Sequence, residues 1–411
     1  MMSTQNDFRP SFYTALIGLA ISVYGFFGSL GHLVAILLVV SFLILDGRKI
    51  YSEKLNKEAL WLYMGLTSVL FVGVLRSVAT TAVDDLLHAV GPMFPIAFVG
   101  LIVVLVAKTG LHIPPLKVST FACVGIIGVY LVFCILFSLP DTLEFKQIAL
   151  RSNERISLLT GNPIPFSVIV GGLSLYTLLG WHDRSFVGRV TTLCIAVLGI
   201  YAATIWAGSR GATLGIAASS PFIVLHLTQS KRWSITYVIV ASLLACSLIF
   251  AQYVGVLNVT ILDRITSGVE TVFTGQNIDG SNYFRMHMWM ASFAVIVDAP
   301  IWGHGLTERF HAIQPHLPDG MNISFSHSHN DILGSGVIGG IIGLVLALIS
   351  FLVLPLYVLS KAPSSLDQKY LAFSLTPLIL VIANSNTIYF NDSSSSFFAF
   401  SVGIFYLIRD R

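Results

Sequence analysis

Charge is scarce in this chain. Only 10% of its 411 residues are Asp, Glu, Lys or Arg and 55% are hydrophobic, whereas about a quarter of an average soluble domain is charged. An ordinary water-soluble domain is thereby excluded. Cysteine is scarce as well: Cys123, Cys134, Cys194 and Cys246 fall inside apolar runs, read as packing residues, and have no metal or redox spacing. Converging acids are missing too. Asp263, Glu270, Asp279, Asp298, Glu308, Asp319 and Asp331 are spread singly with no Asp-x-Asp pair, and the adjacent Asp84 and Asp85 belong to a different loop. That argues against a carboxylate-held Mg²⁺ or Mn²⁺. Finally, the first apolar stretch lacks a strong basic n-region and an obvious small-residue cleavage site, so it reads as a retained span.

What is present is a series of apolar runs of bilayer length. They lie at about 12–29, 31–45, 60–75, 91–107, 118–138, 164–180, 190–207, 211–228, 234–253, 333–359, 370–388 and 394–408, and about 17–25 residues suit a membrane helix. The expectation is an all-α polytopic membrane protein of about twelve spans. A barrel is excluded because the runs do not alternate. With the N-terminus inside, fifteen of the 23 basic residues fall in inner loops, the bias that orients membrane proteins. Both termini are then cytoplasmic, and the long segment 254–332 is exposed outside between spans 1–253 and 333–411. The formal charge of +3 therefore belongs to short orienting loops and says nothing of nucleic acid.

Arginines that remain in outer segments need a reason to be there. Arg151 and Arg155 sit among Ile148, Leu150, Ile156 and Leu158, a pattern of an interfacial helix whose Arg heads reach phosphate or pair internally. Arg210 lies in Trp206-Ala207-Gly208-Ser209-Arg210-Gly211, a turn with almost no loop. An ionisable group at that depth is costly unless it is paired or functional. A further interfacial helix is expected over 261–273. Ser281 then opens a helix carrying Arg285, His287, Trp289 and Phe293, stopped at Asp298-Ala299-Pro300.

The polar run Ser326-His327-Ser328-His329-Asn330-Asp331 closes the long outer segment, and Gly334-Ser335-Gly336-Val337-Ile338-Gly339-Gly340 opens the next apolar helix. This is the candidate reactive centre, where a proton acceptor meets a membrane-bound substrate. His327-x-His329 is also a spacing used for metal, although zinc needs three or four ligands and His304, His311 and His316 are not at a motif spacing from the pair. Asn330 or Asp331 is the expected helix cap.

In this order, the Gly-Ser-Arg-Gly turn, Arg285-x-x-x-Trp289, Pro300-Ile301-Trp302-Gly303-His304-Gly305 and His-Ser-His-Asn resemble the O-antigen ligase family within the ligase and polymerase superfamily of bacterial surface polysaccharides. The resemblance implies transfer of a glycan from an undecaprenyl-diphosphate carrier to a lipid A-core hydroxyl. The site would be periplasmic, on a multi-pass protein of the bacterial inner membrane, with no cofactor and no metal. It implies His329 as the essential histidine and Arg210 and Arg285 as the diphosphate-binding arginines; beside them the residues themselves mark His327, Asn330, Arg151 and Arg155 as supporting candidates. Two alternatives stay open: an O-antigen polymerase, whose acceptor is another carrier-linked glycan, and a lipid-linked glycan transporter. A transporter would show internal repeats or mid-bilayer ionisable residues, and neither is found.

Overall fold

The computed structural model describes residues 4–27, 29–52, 56–78, 89–109, 111–139, 162–241, 266–267, 270–271, 273–276, 280–321, 328–361, 364–385 and 387–408. Among them the regular structure is helical. The helices are α1 Thr4–Phe27, α2 Ser29–Ser52, α3 Lys57–Val78, α4 Phe94–Thr109, α5 Pro115–Ser138, α6 Pro163–Thr177, α7 Phe186–Tyr201, α8 Arg210–Thr228, α9 Gly280–Asp298, α10 Gly305–Ile313, α11 Asp331–Phe351, α12 Val353–Ser360, α13 Leu366–Ser385 and α14 Asp392–Leu407. Several begin on a side-chain cap that takes up a backbone N–H otherwise left without a partner. Asn162 accepts from Ile164 N at 2.9 Å and Asn391 from Ser394 N at 3.0 Å.

Six described helices are long and apolar enough to cross a membrane: α3, α5, α7 with the turn after it, α8, α11 and α13. Shorter apolar stretches lie in α1, α2, α6 and α14. The ninth expected span is described only as far as residue 241, and most of the expected helix 261–273 lies outside the described residues. So do Arg151, Arg155 and His327.

Contacts between distant segments tie the helices at both ends as well as along their length. At one, Arg76 Nε donates to Gly303 O at 3.2 Å, Leu306 N donates to Ser77 Oγ at 2.7 Å, and Gly211 abuts Ser385. At the other, Lys361 pairs with Glu58 at 2.7 Å, Ile113 N donates to Leu407 O at 3.2 Å, and Gly180 N donates to Asp367 at 2.9 Å.

The expected straight span 333–359 is the main correction. Tyr389 touches both ends of α11: its N–H donates to Asp331 at 3.2 Å, and its ring stacks on Phe351 with centroids 4.9 Å apart. On a straight helix residues 331 and 351 would be about 30 Å apart. Instead α11 breaks at Gly339 and Gly340, whose backbones are not helical, and a Cβ on Gly343 would overlap the carbonyl of Ser335. Length and hydropathy alone pass α11 as one crossing. The geometry makes residues 331–338 a half-helix folded back beside 341–351.

The turn before α10 fastens the tip of this hairpin. Ile341 N donates to Pro300 O at 2.7 Å and His304 N donates to Val337 O at 2.8 Å. The close approach needs glycine on both sides. Gly303 has φ 58° and a Cβ there would stand 2.6 Å from Gly339 N. Gly340, at φ 61° and ψ −147°, occupies a region open essentially to glycine alone. Gly340→Ala costs about 1–3 kcal/mol from the backbone conformation, before its methyl meets the Ile301 backbone 2.5 Å away. We expect a clear fall in the thermal unfolding midpoint of the detergent-solubilised protein, while Gly91→Ala, which meets nothing within 4 Å, leaves the midpoint close to wild type.

Candidate functional site

Of the polar run, Ser328, Asn330 and Asp331 are buried. Asn330, not Asp331, is the cap: its Oδ1 accepts from Ile332 N and Leu333 N, both at 3.0 Å. Ser328, buried, donates its Oγ to Asn330 O at 2.8 Å. Between them His329 takes a left-handed backbone with φ 54°, uncommon for a residue other than glycine, although Asn, Asp and His adopt it more readily than most. Backbone held in such a region costs about 1–3 kcal/mol and is concentrated at functional sites.

The His329 ring stands edge-on to Phe284, centroids 6.4 Å apart at 82°. Phe284 precedes Arg285 on α9, so the histidine faces the turn of α9 that carries this arginine. Arg285, half-buried, reaches Asn282 Oδ1 at 3.5 Å. On the other side, Asn330 Nδ2 donates to Asn384 Oδ1 at 3.5 Å, at the end of α13. The neighbouring Ser385 packs on Gly211, where a Cβ would stand 2.5 Å from its Oγ.

Gly211 follows Arg210. That arginine opens α8 after a π-turn in which Ala207 N donates to Ala202 O at 3.1 Å, then Gly208 at φ 53°, then the Ser209 cap, which accepts from Ala212 N at 3.4 Å. Such turns are rare and frequent at functional sites. Arg285, His329, Asn330 and Arg210 are thus joined by successive contacts through Phe284, Asn384 and Ser385. The sequence singled out all four, and the structure brings them to one end.

Two residues have roles that the sequence reading did not assign. Asp331 is almost fully buried, 1% exposed. Its carboxylate accepts from Thr387 Oγ1 at 2.8 Å, from Ile388 N and from Tyr389 N. It fastens the 387–389 loop to the hairpin, and both its oxygens are occupied there. Arg309 is the second. It is 5% exposed, lies over the Phe390 ring at 4.6 Å and donates to Leu306 O at 2.5 Å. Burial lowers its pKa to about 10, so it remains a cation at neutral pH. Its signal was in the sequence: Leu306, Arg309 and Ile313 recur at helical spacing on one face, and all three are buried.

His304, His311 and His316 have contacts of their own. His304 Nε2 is 3.3 Å from Val295 O, His316 pairs with Asp298 at 3.1 Å, and His304 and His311 line a separate cavity of about 290 Å³ with Arg76 and Glu308. Among the described residues no three His, Cys, Asp or Glu side chains gather as a metal site.

The chain is similar to a known family over part of its length. A family model described as O-antigen ligase matches residues 194–348, a segment that contains Arg210, Arg285, His329, Asn330 and the hairpin tip. The match supports the O-antigen ligase and polymerase superfamily, a class of membrane glycosyl-transfer enzymes. No curated protein matches the chain in sequence.

The Asp331 contacts yield a test of its structural role. Asp331→Ala strands two buried backbone N–H groups, at about 1–3 kcal/mol each, so its unfolding midpoint falls well below wild type. Asp331→Asn, which keeps one acceptor oxygen, falls less. Equal midpoints for wild type and Asp331→Ala in a thermal melt would overturn the role.

Proposed function

We propose that this protein is an O-antigen ligase: a glycosyltransferase that moves a glycan from an undecaprenyl-diphosphate carrier to a hydroxyl of lipid A-core. The reaction takes place at the periplasmic face of the bacterial inner membrane, and both termini are cytoplasmic. The observation that carries this reading is the gathering of Arg210, Arg285, His329 and Asn330 at one end of the bundle, within the segment similar to O-antigen ligases. The modest size of the 141–161 loop beside one long outer segment favours the ligase over the polymerase reading.

A ring nitrogen of His329 takes the proton of the acceptor hydroxyl as its oxygen bonds to the anomeric carbon, a contribution of about 10²–10⁴-fold. The bond from that carbon to the diphosphate breaks on the opposite face, so the configuration inverts and the electron pair leaves on the diphosphate. Arg210 and Arg285 hold that charge through charge-assisted, bidentate hydrogen bonds that strengthen as it develops. No cofactor takes part. Asn330 holds the left-handed turn that presents His329. His327, Arg151 and Arg155 are assigned supporting contacts with substrate or lipid headgroups.

His329→Asn is the sharpest test, because asparagine accepts the left-handed backbone and carries no base. Purified variant and lipid-linked donor should bind as wild type does but give no transfer, and substantial transfer would sink the assignment. Arg210→Lys and Arg285→Lys keep the charge but lose the planar fork, so both should lose activity. Unchanged donor affinity in both Arg→Ala variants would make the arginines structural. Transfer persists in excess EDTA on this reading; inhibition reversed by a divalent metal would return His327, His329 and Asp331 to consideration as ligands. Lipopolysaccharide from a deletion strain separates the two enzyme readings. Loss of a ligase leaves bare core and long carrier-linked chains, and loss of a polymerase leaves core bearing at most one repeat.

A further inference from the structure

The opposite ends of α8 and α13 enclose a cavity of about 330 Å³, at the end of the bundle away from His329. Its floor is apolar. Phe222 and Phe373 stack with centroids 5.8 Å apart, and Leu225 and Tyr370 complete the wall. Its rim is polar and basic, formed by His182, Gln229 and the exposed Lys369.

The charge of the cavity is set by where the nearby acid points. Asp367, two residues before Lys369, accepts from Gly180 N at 2.9 Å and lies 3.7 Å from His226 Nε2. It is therefore engaged with the α6–α7 turn and is not part of the lining. Among the described residues the lining holds one ammonium, two imidazoles and no carboxylate, and the nearest acid, Asp367, sits behind His226. His226 is itself fixed, stacked on Tyr370 at 4.1 Å with its Nε2 3.1 Å from Leu178 O, which gives the floor a rigid aromatic edge.

An exposed ammonium at the lip of an aromatic floor, at the end of two apolar helices, is complementary to an anionic amphiphile. We propose that this cavity is a binding site for an anionic phospholipid, its phosphate at Lys369 and Gln229 and the start of one acyl chain over Phe222 and Phe373. Basic pockets between membrane helices take acidic lipid headgroups. The volume lies at the low end of the about 300–1,000 Å³ of small-molecule sites, which suits a headgroup and the start of one chain. The site is independent of the transfer chemistry at the other end.

The test uses full-length protein delipidated in neutral detergent, with retained lipid counted by native mass spectrometry. Phosphatidylglycerol should be retained and phosphatidylcholine should not. Lys369→Gln should lower phosphatidylglycerol retention about fivefold, the value of one lysine at a lipid surface. Leu225→Trp, which fills the floor, should abolish retention. Lys369 is exposed, so its variant folds and decides the matter even if the tryptophan variant does not. Equal retention of both lipids, or of phosphatidylglycerol by wild type and Lys369→Gln, would overturn the proposal. So would full displacement of the lipid by inorganic phosphate, which would assign the site to a free anion.

Discussion

The structure depends on one splice: the turn Pro300–Gly305 set against the broken helix at Gly339 and Gly340. A break in an apolar helix exposes backbone groups that lipid cannot satisfy. Here the turn supplies the partners, with Pro300 O accepting from Ile341 N and Val337 O accepting from His304 N. Non-helical backbone is tolerated at membrane depth where protein covers it, and Gly303 and Gly340 let the two backbones meet. From that junction, half-helix 331–338 runs inward to end at His329, alongside α9 with its Arg285. Without the turn the half-helix would keep only the fastening at its Asn330 and Asp331 end.

A second fastening acts at the other end of the half-helix. Asp331 ties it to the loop between α13 and α14, and Asn330 ties it to Asn384. Beyond that point α13 runs along α8 at close range, with a Gly211 Cβ position 2.5 Å from Ser385 Oγ and a Gly215 one 2.9 Å from Leu378. The neighbours of the two arginines approach this turn from different sides: Phe284, before Arg285, meets the His329 ring, and Gly211, after Arg210, packs on Ser385 beside Asn384. Small residues make the α8–α13 pair tight, as is usual where helices pack in lipid.

Hydropathy and spacing are enough to anticipate a helical bundle and the α9 stop at Asp298, because each depends on local composition. The hairpin was hidden for a physical reason. A hydropathy window counts apolar residues without regard to direction, so a helix folded back at Gly339 and Gly340 reads like one that runs on. Its partner turn, Pro300–Gly305, lies more than 30 residues earlier in the chain, and no local pattern announces that the two backbones meet. Asp331 was hidden too, since its partners, 56 to 58 residues away, are mostly backbone groups and no side-chain pattern announces them. Arg309, by contrast, was readable from its helical register with Leu306 and Ile313.

The half-helix also has an electrical consequence. The N-terminus of a helix carries the equivalent of about half a positive charge. The half-helix begins at Asn330 and α8 begins at Arg210, while Arg285 rides in the second turn of α9. Among the described residues the N-terminal poles of the half-helix, α8 and α9 therefore stand at the end of the bundle where the arginines gather, among the C-terminal poles of α3, α13 and the turn after α7. Folding the apolar stretch back on itself brings one of those poles down beside His329, where a straight crossing would have left it at the surface, in water that screens it. Part of the field felt by an anion at this end thus comes from the peptide backbone, a contribution that no side-chain substitution removes.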